Sequence, residues 1–163
     1  MSKSTGKLHG EINYITDTQA AYIAGMIDAD GTVTVGQGTT HLPQPMVLVV
    51  NTNYELIDWL KAVVGAGCAY RTKTSPTRPD QDQTKWNPVH RYQLTGLKAV
   101  SLLRLCMPYM IVKKQKAELV VQLPQRGRDF NIKCPDDLRV RAGEIRQAML
   151  KLNHRGYIAP GYE

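Results

Sequence analysis

The sequence predicts an α+β domain with element order α-β-β-α-β-β-α-α-α. Three observations predict it. A helix-start signal at Thr16 opens a long apolar run that stops at Gly31. Four short strand-like segments follow in two pairs, with a helical-period stretch between the pairs. Three further helical segments follow, at about 98–107, 112–123 and 136–151. Antiparallel strands with helices segregated to one face are the α+β arrangement.

Helix 1 is expected from about Thr16 to Ala29. Thr16 and Gln19 have capping-box spacing, and Ile15 stands just outside as a staple. Thr32-Val33-Thr34-Val35 alternates and reads as strand 1, with 36–40 continuing it or turning. Met46-Val-Leu-Val-Val50 is strand 2, and Pro43 and Pro45 confine its start to an edge or bulge. Asn51-Thr52-Asn53 has the composition of a helix start. Leu56, Ile57, Leu60, Val63 and Val64 repeat at helical spacing, and Gly65 and Gly67 close helix 2. Cys68–Lys73 is strand 3. Residues 74–87 form a long polar loop, functional or disordered at this length. Val89–Thr95 is strand 4, with Tyr92 and Leu94 inward and Arg91 and Gln93 outward. Lys98–Met107 is helix 3, stopped by Pro108, and Val112–Leu123 is helix 4. In helix 5, residues 136–151, Leu138, Ala142, Ile145 and Met149 share one face.

At 163 residues the chain fits one domain with a real core. Residues 14–152 are assigned to it, 1–13 to a flexible basic arm and 153–163 to an irregular tail. Lys and Arg number 21 against 14 acids, a net charge of +7. This balance favours a polyanionic partner, nucleic acid before anionic membrane. No apolar run reaches bilayer length, so no membrane partner is expected. Nor is there the apolar h-region of a secretory signal. The three cysteines, Cys68, Cys106 and Cys134, form no CxxC pair, and the histidines His9, His41, His90 and His154 are scattered. Buried thiols in a reducing compartment, bacterial cytoplasm or an organelle, are the expectation, rather than a disulfide framework or zinc ribbon.

The segment 22–31, Tyr-Ile-Ala-Gly-Met-Ile-Asp-Ala-Asp-Gly, carries the most chemistry. An apolar helix implies burial on every side. Asp28 and Asp30 sit at its C-terminal end, where the dipole favours cations. The conflict resolves if that end meets a cation. The two acids point about 200° apart on a helix and have separate roles.

Residues 23–31 resemble the signature of the LAGLIDADG homing endonuclease family. Pro108-Tyr109-Met110 with Lys113 and Ala117 is similar to a second family segment, and Gly65-Ala66-Gly67 to its Gly-x-Gly turn. The resemblance covers roughly residues 15–125. It implies the family's αββαββα fold, here with extra C-terminal helices and a saddle-shaped sheet facing DNA. A single signature copy resembles the homodimeric members, with the small residues Ala24 and Gly25, and Asp28, at the helix–helix seam.

The resemblance further implies a metal-dependent endodeoxyribonuclease for homing of an intron. Such an enzyme would cut double-stranded DNA at a long pseudo-palindromic site and leave short 3′ overhangs. Asp30 is the implied ligand of Mg²⁺ (or Mn²⁺), with the backbone carbonyl of Ala29, and Asp28 is structural at the helix end. Lys113 matches a lysine beside the scissile phosphate, and Asn51 lies near a solvent-positioning glutamine. Glu55 stands where some members carry a second basic residue. A ribbon in the major groove would read bases through Arg91 and Gln93. Arg71 and Lys73 are the polar set of strand 3, unless a one-residue slip exposes Tyr70 and Thr72. Thr32, Thr34, Gln37 and Gln44 complete the face. Arg78 and Lys85, with Trp86, lie over flanking DNA, and Lys114 and Lys116 suit phosphates.

Two competing readings stand beside this one. A cleavage-inactive member would bind DNA as a regulator or group I intron RNA as a maturase. An unrelated RNA-binding domain would need aromatic stacking platforms, and Phe130 is the only phenylalanine.

Overall fold

A computed structural model describes residues 11–36, 44–72, 88–124 and 136–152. Helix α1 spans Asp17–Asp30 and runs without a loop into β1, Gly31–Gly36. Then come β2 (Gln44–Asn51), α2 (Tyr54–Val64), β3 (Cys68–Thr72) and β4 (Val89–Thr95). Helix α3 (Leu97–Cys106) passes through a 3-10 turn, Met107–Tyr109, toward α4 (Lys114–Val120). Helix α5 is Asp136–Leu152. The four strands form one antiparallel sheet in the order β1-β2-β4-β3, so β1 and β3 are its edges.

Local chemistry sets the helix ends. Thr16 and Gln19 form a reciprocal capping box: Gln19 N–H donates to the Thr16 hydroxyl and Thr16 N–H to the Gln19 side chain. Asn53 caps α2 by accepting the Leu56 N–H at 3.1 Å. Gly65 ends α2 with φ 67°, a left-handed cap that suits glycine. The side chain of Asn13 fills the space beside Gly65 and donates to Ala62 O, while its backbone N–H donates to Val64 O. With Ile12 packed against the core, orderly packing begins before residue 14, inside the expected arm.

One sheet face is the core face. Val33, Val47, Val49, Tyr92 and Leu94 point into it and are at most 2% exposed. Helices α1, α2 and α3 cover it with Ile23, Ile27, Ile57, Leu60, Leu102 and Leu103, all buried. Burying each such side chain is worth about 2 kcal/mol. The Tyr22 and Trp59 rings meet edge-on at 5.2 Å and tie α1 to α2. Tyr92 hydroxyl donates to Ala66 O at 2.9 Å, so the polar tip of this core aromatic is satisfied. Ala142, Ile145 and Met149 of α5 are buried against the rest.

The fold corrects several sequence expectations. Helix α4 starts at Lys114 rather than Val112, because the N–H groups of Val112 and Lys113 bond to Asp28 instead of entering a helix. It ends at Val120, and 121–123 are turn and bend. Cys106 is buried as expected and burial pushes its thiol up to about 12, whereas Cys68 is exposed on an edge strand. Helix α1 is not buried on all sides. Ala20, Ile23, Ala24, Met26 and Ile27 are, but Tyr22, Gly25 and Ala29 are open. Ala24 therefore does not belong to an external seam. It faces the chain's own core, one residue round the helix from Gly25.

Candidate nuclease and nucleic-acid site

The C-terminal end of α1 gathers the polar residues singled out by sequence. Gly31 makes the abrupt helix-to-strand passage possible: a Cβ there would stand 2.7 Å from the Ile27 backbone. Asp30 is the last helical residue and is exposed. Asn51, at the end of β2, donates from Nδ2 to Asp30 Oδ2 at 3.3 Å. Its own carbonyl oxygen accepts the Asn53 N–H at 2.8 Å, which fixes the amide's orientation.

Asp28 turns the opposite way. Its Oδ2 accepts N–H groups of Ile111 (2.6 Å) and Val112 (3.1 Å), and Oδ1 that of Lys113 (2.9 Å). A carboxylate receiving three backbone N–H groups is a strong clamp. The Lys113 ammonium returns to α1, donating to Ile27 O at 2.8 Å and Asp28 O at 2.6 Å. No basic residue lies in the last turn of α1, so Lys113 supplies the cation that this helix end requires. Partial burial holds the Lys113 pKa below the ordinary lysine value. Asp28 opposes the shift, Lys116 adds to it, and Asp30 also opposes it. Lys114 is exposed and Lys116 half-buried beside it on α4.

Glu55 is exposed on the first turn of α2 and accepts from the Tyr54 hydroxyl at 3.4 Å. Sequence reasoning overlooked His90, which pairs directly with Asn51 in the β2–β4 register. Its ring lies 5.9 Å from that of Tyr54. The signal was available, because His90 precedes the inward Tyr92 by two residues.

The sheet face away from the core is polar at its edges. Register places Thr32, Leu48, Gln93 and Cys68 in one row. Thr34, Met46 and Thr95 form a second, and Val50, Arg91 and Tyr70 a third. Arg91 and Gln93 thus share the outer face, as the alternation predicts, with Thr32 and Thr34. Gln44 is exposed at the start of β2. Arg71 is corrected: it pairs with His90 and shares the side of Tyr92, so Tyr70 and Thr72 face outward in its place. Thr72 Oγ1 and Arg91 Nε are buried without a hydrogen-bond partner among the described residues. Gln37, Lys73, Arg78, Lys85 and the loop 74–87 lie outside the described residues.

A family model described as a LAGLIDADG-like domain matches residues 17–100, from the first helix through the four strands. The chain belongs to this LAGLIDADG family. Solved structures of homing endonucleases share its fold at low identity. An archaeal intron-encoded homing endonuclease, I-Vdi141I, complexed with DNA, matches with TM-score 0.64 and 19% identity over 88% of this chain and 89% of that one. The homing endonuclease I-CvuI, in complex with its target in the presence of calcium, matches with TM-score 0.62 and 15% identity over 87% of each chain. No curated protein matched. These likenesses establish the LAGLIDADG α+β fold around the four-stranded sheet. No described helix is long and apolar enough to cross a membrane.

Proposed function

We propose that this LAGLIDADG chain is a site-specific double-strand DNA endonuclease that works as a homodimer with Mg²⁺ or Mn²⁺. The observation that carries the reading is Asp30: an exposed carboxylate at a helix end, oriented by Asn51, one turn from an open small-residue helix face. The net charge of +7 and the DNA complexes of I-Vdi141I and I-CvuI support a DNA substrate.

The donor set suits magnesium. Among the described residues no three or more His, Cys, Asp or Glu side chains gather into a metal cage. Magnesium is commonly held by one or two carboxylates, with substrate phosphates and waters completing its shell. One Asp30 from each protomer, with the Ala29 carbonyl, matches that demand. A bound divalent ion there supplies an activated water and charge stabilisation at the leaving oxygen. The chain's own groups do the rest. Asn51 orients the Asp30 carboxylate, the Lys113 ammonium puts positive charge at the phosphate, and Lys114 and Lys116 add phosphate contacts.

The dimer reading rests on Gly25. A Cβ added there would meet no atom of the described residues within 4 Å, so packing among them does not call for glycine. Around it lies an open groove of about 570 Å³, lined by Ala21, Gly25, Asp28, Ala29, Tyr109, Ile111 and Val112. Ile111 and Val112 are 75% and 73% exposed. A two-fold axis along this face would cover them and bring both copies of Asp30 together. The outer sheet face, with Arg91, Gln93, Thr32, Thr34 and Gln44, would then enter the major groove in each half of a pseudo-palindromic site.

The test is a randomised duplex library incubated with the protein and Mg²⁺, followed by sequencing of any cut ends. Paired breaks with short 3′ overhangs at a two-fold site are expected. Selection of bound sequences with no cut member would favour the cleavage-inactive binding protein instead.

A further inference from the structure

On the outer sheet face, Tyr70 belongs to neither the core nor the metal site, yet it is committed to one partner. Its hydroxyl donates to Gln93 Oε1 at 3.1 Å across β3 and β4. The register sets Tyr70 opposite Arg91 and Cys68 opposite Gln93, so the bond is diagonal. Diagonal cross-strand pairs lie within reach of an aromatic side chain. Among the described residues Arg91 Nε has no acceptor, so the Tyr70 hydroxyl does not serve that nitrogen of its direct neighbour. Tyr70 itself is 43% exposed on β3, an edge strand of the sheet.

The bond has a chemical consequence. A glutamine amide turns about a broad, roughly two-fold terminal torsion, so a free one offers either its oxygen or its NH₂ to a base edge. Anchoring the oxygen restricts that rotation and leaves the NH₂ as the donor the amide can offer a ligand. In the major groove, that donor seeks N7 of a purine or O4 of thymine and finds nothing to accept it on cytosine N4. The second lone pair of Oε1 stays available to adenine N6–H, which completes the bidentate pair.

We infer that Tyr70 is a specificity-determining positioning residue, which fixes the Gln93 amide so that it presents its N–H donors to one base pair in each DNA half-site. The inference rests on the DNA-reading function proposed above. Tyr70→Phe removes the hydroxyl and keeps the ring, and the side chain is outside the core.

Selection from a randomised duplex library is the experiment, run with the full chain, Tyr70→Phe, Gln93→Ala and the double variant. Tyr70→Phe should weaken discrimination at one symmetric pair of positions by about fivefold, the factor that one ordinary hydrogen bond is worth. Other positions and the melting temperature should stay as in the parent. In the Gln93→Ala background the Tyr70→Phe change should have no further effect. An unchanged profile overturns the inference, as does broadening spread over the whole site, which would mean a general structural role. A parent chain with no sequence preference would refute the DNA-reading function itself, and this inference with it. A parent with a clear preference and an unmoved Tyr70→Phe profile refutes the inference alone.

Discussion

Asp28 and Lys113 are joined in both directions: Lys113 N–H donates to the Asp28 carboxylate at 2.9 Å, and its ammonium donates to the Asp28 carbonyl at 2.6 Å. The pair closes the end of α1 onto the segment before α4. It gives the Asp28 carbonyl a donor at the helix end, adds a second donor to Ile27 O, which already accepts the Gly31 N–H, and satisfies N–H groups that never enter α4. Asp30, two residues on, is thereby held at a fixed place on the surface.

Asp28→Ala is expected to leave three N–H groups without their acceptor. A loss of about 3 kcal/mol in unfolding free energy follows if charged hydrogen bonds of this kind are broken together. Chemical denaturation would give the value, and hydrogen exchange at Ile111, Val112 and Lys113 should quicken. A variant as stable as the parent, with unchanged exchange, would mean that the clamp contributes nothing.

Gly25→Ala separates the dimer from a monomer. On an exposed helix face in a monomer, alanine should stabilise by roughly 1 kcal/mol. At a close two-fold helix contact the added methyl should instead weaken association. Sedimentation at several concentrations should show a dimer that Gly25→Ala loosens and Gly25→Leu abolishes. A parent chain that sediments as a monomer throughout, and a Gly25→Ala variant that melts higher, would contradict the seam.

Cys106 sets an alkaline limit. Its folded pKa is raised from 9.0 to about 12 by burial. The folded state therefore keeps a proton that the unfolded state releases above its ordinary value. The contribution to stability is whole below pH 9.0 and is lost as pH rises toward 12. The stability difference between the parent and Cys106→Ala should shrink by up to about 1.4 kcal/mol per pH unit in that window. Peptide mapping after alkylation of the native protein at pH 8 should find Cys68 modified and Cys106 intact. Equal labelling of the two would show that the Cys106 site opens readily.

What could be read in the sequence was local. The Thr16–Gln19 box spans four residues, and its two bonds form as the spacing predicts. Tyr92 and Leu94 could be assigned inward because β4 is a central strand with strict alternation. The phase of β3 could not: Cys-Ala-Tyr-Arg-Thr on an edge strand has no clear apolar face, and only pairing with β4 turns Tyr70 outward and Arg71 away. The cation at the end of α1 was anticipated as a need but not as Lys113 on the carbonyls, since that residue lies 85 positions away along the chain. Ala24 and Gly25 were grouped by size, although a helix turns adjacent residues to different sides.

The measurement that bears most directly on the central claim is cleavage of a selected duplex target by Asp30→Asn beside the parent, with Mg²⁺ titrated. Asparagine keeps the size of the side chain and removes the charge that would hold the ion. The parent should cut both strands only when Mg²⁺ is present. Asp30→Asn should bind the same target and melt at the same temperature, yet cut at least a hundredfold more slowly, on the order of the loss expected when a key stabilising group is removed. Cleavage by Asp30→Asn at the parental rate, or by the parent in excess chelator, would contradict the assignment of Asp30 as the centre of a metal-dependent nuclease.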